Sequence, residues 1–158
     1  MTTKKSADES FMDEALSLAD EGAREGEIPV GCVIVKDGEV VGRGKNEVEK
    51  RRDPTAHAEI TAIRKAAKKL KSWRLDGCDM FVTLEPCPMC AGAIVNARIR
   101  TLYYGAKEEK SGSAESRFTI LSDSGLNHKT AFSGGILKAE CEEILKTYFK
   151  CLRKEKNT

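Results

Sequence analysis

Two short clusters of reactive side chains constrain this sequence more than any other feature. His57 and Glu59 form one cluster, and Cys87 and Cys90 form the other, within Pro86-Cys87-Pro88-Met89-Cys90. One imidazole and two thiolates are ligands that zinc accepts, and the glutamate remains as a free carboxylate. A chain that uses all four groups together must fold so that the two clusters meet.

The cysteine cluster has the spacing of a helix start. Cys87 and Cys90 are three residues apart, so both sulfurs lie on one side of a helix. The positive end of the helix dipole favours the thiolate form that binds metals. Pro86 ends the preceding strand, and Pro88 fits the first helical turn, where its missing N–H costs little.

The histidine cluster predicts a catalytic site and not only a structural one. His57 and Glu59 are about 200° apart around a helix. In a first turn, however, His57 can face a metal while Glu59 reaches over a metal-bound water. Three ligands leave the fourth zinc position open for that water, whose pKa can fall to roughly 7. We therefore expect one Zn²⁺ per chain on His57, Cys87 and Cys90, with Glu59 as the catalytic proton carrier.

Three other interpretations of the clusters remain open at this stage. The Cys-x-x-Cys pair is also found in redox dithiols. A closed structural zinc site would take Cys78 or His128 as its fourth ligand. An intact motif can also belong to an inactive zinc or nucleic-acid-binding protein. The first two interpretations leave Glu59 without a role.

Length and composition indicate one soluble domain. The chain has 158 residues, 40% hydrophobic and 33% charged, and we expect a single domain over 1–158 with flexible tails at 1–9 and 155–158. The sequence has no apolar run near the ~20 residues of a membrane span, and its start is polar, unlike a signal peptide. We therefore expect a cytoplasmic protein that does not associate with membranes and whose cysteines are thiols or metal ligands.

Positive charge is concentrated in residues 50–74. Residues 50–74 contain nine basic residues against Asp53 and Glu59. Such a stretch can attract phosphates, although a solvated helix face has the same composition.

Apolar periodicity and turn residues predict alternating helices and strands, which indicates a layered α/β domain. Asp37-Gly38 is a hairpin turn signal. Residues 47–54 are predicted to be a polar loop. The predicted helices span about 8–25, 56–70, 87–97, 114–122 and 138–154, and the predicted strands span 30–35, 40–44, 80–84, 101–104 and 130–133.

Longer runs around both clusters resemble a known family. The segments Asp53-Pro54-Thr55-Ala56-His57-Ala58-Glu59 and Thr83-Leu84-Glu85-Pro86-Cys87-Pro88-Met89-Cys90 resemble the cytidine-deaminase-like zinc deaminases, whose signature is H-x-E…P-C-x-x-C. Glu27-Ile28-Pro29-Val30-Gly31 and Gly42-Arg43-Gly44-Lys45-Asn46 narrow the resemblance to bacterial tRNA-specific adenosine deaminases. The similarity covers about residues 10–153.

This resemblance implies a three-layer α/β/α fold with a mixed five-stranded sheet, and a homodimer. It implies zinc-dependent deamination of adenosine to inosine at the wobble position of a tRNA anticodon stem-loop. The resemblance also implies that the Asn46 side chain donates a hydrogen bond to N7 of the purine and that the Ala58 N–H helps to hold the base. The remaining implied positions are Val30 and Glu85 for substrate binding, and Glu108, Lys110, Tyr148, Phe149 and Arg153 for RNA.

Two acidic residues depart from the family pattern. Glu108 stands where the family has an aspartate, and Glu115 stands where it has a glycine. Both changes affect the side of the site expected to meet RNA, whereas the deamination chemistry is untouched. A deaminase of free nucleobases or nucleosides, of the guanine or cytosine type, is therefore the alternative function. Such an enzyme needs neither the basic stretch nor the aromatic and basic C-terminal helix.

Overall fold

The computed structural model describes residues 5–123 and 125–156, in which helices and strands alternate as predicted. None of the described helices is long and apolar enough to span a membrane. The elements are α1 (Ala7–Arg24), β1 (Gly31–Lys36), β2 (Glu39–Lys45), α2 (Val48–Arg51), α3 (Ala58–Leu70), β3 (Cys78–Leu84), α4 (Pro88–Asn96), β4 (Thr101–Ala106), a 3₁₀ turn (Ile120–Ser122), β5 (Ala131–Gly134) and α5 (Lys138–Lys156).

The strands form one five-stranded mixed sheet in the order β2-β1-β3-β4-β5. Strand β1 is antiparallel to both neighbours, whereas β3, β4 and β5 are parallel to one another. Helix α4 connects β3 to β4, as parallel neighbours require. The predicted α/β fold with a mixed five-stranded sheet is therefore confirmed.

Side chains of β1 alternate between the two faces of the sheet and show where the core lies. Cys32 and Ile34 belong to a buried cluster shared with α3 and α4. Val33 and Val35 belong to a second cluster shared with α1 and α5. Because successive strand residues point to opposite faces, the sheet lies between two helical layers.

Glycines in β2 allow α3 to lie directly on the strand. A Cβ atom at Gly44 would lie 2.1 Å from the Ala58 carbonyl oxygen, and one at Gly42 would lie 2.5 Å from the Ala62 carbonyl oxygen. The buried residues of α3 include the small side chains of Ala58, Ala62 and Ala66. This close approach fixes the position of the α3 N-terminus, where His57 and Glu59 lie.

The predicted helix over 114–122 is wrong. Only its last residues, Ile120–Ser122, form a 3₁₀ turn. The backbone N–H groups of Ala114, Glu115 and Ser116 donate to the Glu85 carboxylate. The N–H groups of Arg117 and Phe118 both donate to the Gly112 carbonyl oxygen, so the helical hydrogen-bond pattern does not continue.

The predicted loop 47–54 contains the short helix α2. Buried Glu27 accepts hydrogen bonds from the N–H groups of Glu49 and Lys50 at the start of this helix. Of the predicted tails, 7–9 are the first turn of α1 and 155–156 end α5. The remaining tail residues 1–4 and 157–158 lie outside the described chain.

Candidate active site

The two reactive clusters meet where α3 and α4 begin. His57 is the N-cap residue of α3 and Cys87 is that of α4, and neither side chain caps its own helix. The His57 Nδ1 atom lies 3.4 Å from Cys90 Sγ and 3.6 Å from Cys87 Sγ. The ligand atoms of these three residues all lie within 4.8 Å of one another, so the cluster could hold a metal ion.

The spacing of the three atoms fits tetrahedral coordination. With Zn–S bonds near 2.3 Å and a Zn–N bond near 2.0 Å, tetrahedral angles place nitrogen and sulfur about 3.5 Å apart. Among the described residues, neither Cys78 nor His128 belongs to this cluster. His128 instead donates from Nε2 to the Ile99 carbonyl oxygen at 2.8 Å. A metal on this triad therefore keeps a free coordination position.

The three side chains of the cluster share their protons unevenly. The hydrogen bond from Cys90 lowers the pKa of the Cys87 thiol to about 4, and a hydrogen bond from His57 acts in the same direction against burial. The pKa of Cys90 is raised because its thiol hydrogen-bonds to Cys87 and is buried. The pKa of His57 is raised by its hydrogen bond to Cys87, with burial opposing. Without a metal, the negative charge of the cluster therefore lies on Cys87.

Glu59 lies in the first turn of α3 and is only 4% exposed. Burial raises the pKa of its carboxyl group to about 7. The side chain lines a cavity of about 300 Å³ that His57 and Cys87 also line. A carboxyl group in this position can both take up and release a proton near neutral pH.

Most of the residues predicted to bind substrate line this cavity. The shared members are Val30, Asn46, Ala58, Glu85, Glu108 and Phe149. The structure does not bring the other three RNA-binding candidates to the cavity wall: Lys110 and Arg153 are exposed and Tyr148 is half-buried. Sequence reasoning assigned no binding role to the remaining lining residues, which are Ile28, Leu84, Lys107, Ser111 and Leu145.

Asn46 is 8% exposed and has two contacts within the protein. Its Oδ1 accepts from the Val48 N–H at 3.2 Å, which orients the amide. Its Nδ2 donates to the Ile28 carbonyl oxygen at 3.4 Å, a long bond that a substrate acceptor can replace. The side chain therefore supports the turn before α2 and also offers a donor to the cavity.

Glu85 was predicted to bind substrate, but in the structure its carboxylate accepts several hydrogen bonds from within the protein. One carboxylate oxygen accepts the N–H groups of Ala114, Glu115 and Ser116 at 3.1, 2.9 and 2.9 Å. The other accepts the Glu108 N–H at 3.2 Å and the Ser116 hydroxyl. Burial acts to raise the pKa of Glu85, but these hydrogen bonds hold it below its ordinary value. The carboxylate thus holds residues 107–119, which we call the rim loop.

The two neighbouring aromatic residues of α5 differ in exposure: Tyr148 is half-buried and Phe149 is exposed. The Tyr148 hydroxyl donates to the Gly26 carbonyl oxygen at 3.5 Å. Phe149 meets Tyr148 edge-on, with ring centroids 5.4 Å apart. The Phe149 side chain is 39% exposed and lines the cavity, so a planar ring is available at its wall.

The site geometry defines the class of protein, and the comparisons agree. The sequence model of MafB19-like deaminases matches residues 6–153. A tRNA-specific adenosine deaminase of Streptococcus pyogenes serotype M18 (strain MGAS8232) is 47% identical over 146 residues, which cover 92% of either chain. This chain is a deaminase. More particularly, it belongs to the family of tRNA-specific adenosine deaminases, as its sequence motifs predicted.

Two solved structures are also similar to this chain. One, from a study of A-to-I editing by tRNA:A34 deaminases, has a TM-score of 0.84 and 45% identity, covering 86% of this chain and 99% of that one. The other, a guanine deaminase of Bacillus subtilis, has a TM-score of 0.62 and 47% identity, covering 68% of this chain and 69% of that one.

Proposed function

We propose that this protein hydrolyses adenosine to inosine at the wobble position of a tRNA anticodon, using one Zn²⁺ held by His57, Cys87 and Cys90. The observation that carries the proposal is the cluster itself, in which one imidazole nitrogen lies 3.4 and 3.6 Å from two sulfurs beside buried Glu59. When bound, zinc in such a site lowers the pKa of a water ligand to roughly 7 and so supplies the nucleophile.

Glu59 moves the protons in this reaction. Its carboxylate takes a proton from the attacking water and passes it to N1 of the adenine. The hydroxide oxygen then bonds to C6. Glu59 next takes the proton of the new C6 hydroxyl and delivers it to the exocyclic amine, so the C6–N bond breaks, ammonia leaves and the C6 carbonyl of inosine forms. Asn46 Nδ2 donates to N7 and the Ala58 N–H holds the base. Ala58 is the first residue of α3, where N–H groups have no intrahelical acceptor.

Exposed basic residues and an aromatic ring support an RNA substrate. All nine basic residues of the 50–74 stretch are exposed, as are Arg153 and Lys154 on α5. Phe149 offers a ring at the cavity wall, where a base can stack for about 1–3 kcal/mol. An unpaired loop base enters such a cavity at lower cost than a base within a stem. A tRNA substrate also favours a cytoplasmic location.

We also expect the homodimer that the family resemblance implies. Met89 and Phe118 are large apolar side chains that are 37% and 44% exposed. Both side chains are accessible to a partner chain. Sedimentation equilibrium of the zinc-loaded protein measures the mass directly, and a monomer at micromolar concentration would contradict this part of the proposal.

The function is tested with a short hairpin RNA that carries adenosine at the wobble position. Inosine in the hairpin is measured beside ammonia release from free adenosine, guanine and cytosine. The Glu59→Gln variant should lose at least about 100-fold in rate, since a positioned acid–base contributes 10²–10⁴-fold, while its zinc content stays equal to wild type. The matched control is Glu109→Gln, because Glu109 is exposed on the rim loop.

Two outcomes of this assay would contradict the proposal. Turnover of a free base, with the hairpin untouched, would assign the chain to the nucleobase deaminases that its guanine deaminase relative represents. Unchanged hairpin turnover by Glu59→Gln would remove Glu59 from its role.

A further inference from the structure

Lys107 is a basic side chain at the wall of the cavity. Among the described residues that line the cavity, it is the one lysine or arginine. It follows β4 directly and begins the rim loop. Its side chain is 56% exposed, so it reaches solvent at the cavity mouth. A nucleotide whose base enters the cavity must bring its phosphates past this mouth.

The Lys107 ammonium is already paired within the protein. Its Nζ lies 3.2 Å from Glu115 Oε1, and the Glu115 side chain is 37% exposed. Exposed ion pairs contribute about 0–1 kcal/mol to folding stability. The main effect of the pair is therefore to reduce the positive charge that the cavity mouth presents to a ligand.

The backbone that carries Glu115 is held in place by hydrogen bonds. The Glu115 N–H donates to buried Glu85 at 2.9 Å, and the neighbouring N–H groups of Ala114 and Ser116 donate to the same oxygen. Glu115 has little backbone freedom to move away when an anion arrives. A phosphate that binds Lys107 must therefore displace a carboxylate that remains close by.

We infer that Glu115 sets the affinity of this enzyme for RNA by neutralising the charge of Lys107 at the cavity mouth. This inference rests on the proposed function, because it requires a polyanionic substrate. Each lysine that neutralises a phosphate steepens the salt dependence of binding, by about 0.7 in the log–log slope for single strands. In the wild type this contribution from Lys107 is suppressed by its pairing with Glu115.

The test is a double-mutant cycle on RNA affinity. The dissociation constant of the zinc-loaded protein for the wobble hairpin is measured from about 50 to 200 mM salt. Glu115→Gln should tighten binding about 3- to 10-fold at the lowest salt and steepen the slope by about 0.7, as one added phosphate contact does. Lys107→Gln alone should change the slope little, and added to Glu115→Gln it should abolish the gain.

Glu109→Gln is the matched control, because it removes the same charge from an exposed position of the same loop. An equal effect of Glu109→Gln would overturn the inference in favour of net charge alone. A gain that survives Lys107→Gln would also overturn it. If the wild type binds no hairpin at any salt concentration, the proposed function fails and the inference fails with it. Binding without the Lys107-dependent gain refutes only the inference.

Discussion

Glu85 allows a quantitative test of how the rim loop is held. A glutamine at this position has the same shape but only one acceptor oxygen. We assume that this oxygen still accepts the three hydrogen bonds from the N–H groups of residues 114–116. The new NH₂ group then faces the Glu108 N–H, and this hydrogen bond is lost because both groups are donors. Loss of one hydrogen bond to a charged group costs about 1.5–3 kcal/mol, and we expect Glu85→Gln to lose about 2 kcal/mol of unfolding free energy.

Glu85→Ala removes every acceptor and should cost more. Five hydrogen bonds are lost, but Glu115 is exposed and both Glu108 and Ser116 are half-buried, so water replaces part of them. The buried Ala114 N–H has no such replacement. We therefore expect a loss of about 3–5 kcal/mol, in the range of a broken buried network and well below five independent bonds.

Denaturant unfolding of the zinc-loaded variants measures both losses, and amide exchange locates them. The exchange protection of the Glu108 N–H should fall in Glu85→Gln, and that of residues 114–116 should fall only in Glu85→Ala. Glu109→Gln on the same loop should match the wild type. A Glu85→Ala variant within about 1 kcal/mol of the wild type, with 114–116 still protected, would refute the assigned hydrogen-bond network.

Two further predictions concern packing and the metal. Gly44→Ala should cost more than about 3 kcal/mol, because its Cβ would lie 2.1 Å from the Ala58 carbonyl oxygen. Gly92→Ala has nothing within 4 Å and should leave stability equal or higher, since alanine favours helix. Both are measured by thermal unfolding. A chelator should lower the melting temperature of the wild type but not of Cys90→Ser. Equal sensitivity of the two proteins would contradict zinc binding by this cysteine.

The reactive cluster could be predicted from sequence because its signals are local. Pro86 and Pro88 mark a helix start, and the spacing of Cys87 and Cys90 indicates which side of it they share. The N-cap positions of His57 and Cys87 agree with these rules. The signal for β1 is also local, since the strand contains a continuous apolar run that is buried on both faces of the sheet. Sequence patterns of this kind locate both the sheet and the two helix starts.

The rim loop could not be predicted in the same way, because its determinant is distant in the chain. A helix was predicted over 114–122, but the N–H groups of residues 114–116 donate to a carboxylate about thirty residues earlier. No periodic pattern marks such a bond. The binding positions of Ile28 and Lys107 were missed for a similar reason, since loop geometry alone directs them to the cavity.

The cavity therefore has two walls of different origin. One consists of the N-termini of α3 and α4, and α3 is fixed against β2 by Gly42 and Gly44. The other includes the rim loop, attached through Glu85 and carrying Glu108 and Lys107. The two walls are joined next to Cys87, because the rim loop is bonded to Glu85 and the Ser113 N–H donates to the Pro86 carbonyl oxygen at 2.8 Å. Since the rim loop lines the cavity but supplies none of the three metal candidates, we expect substrate choice to depend on it.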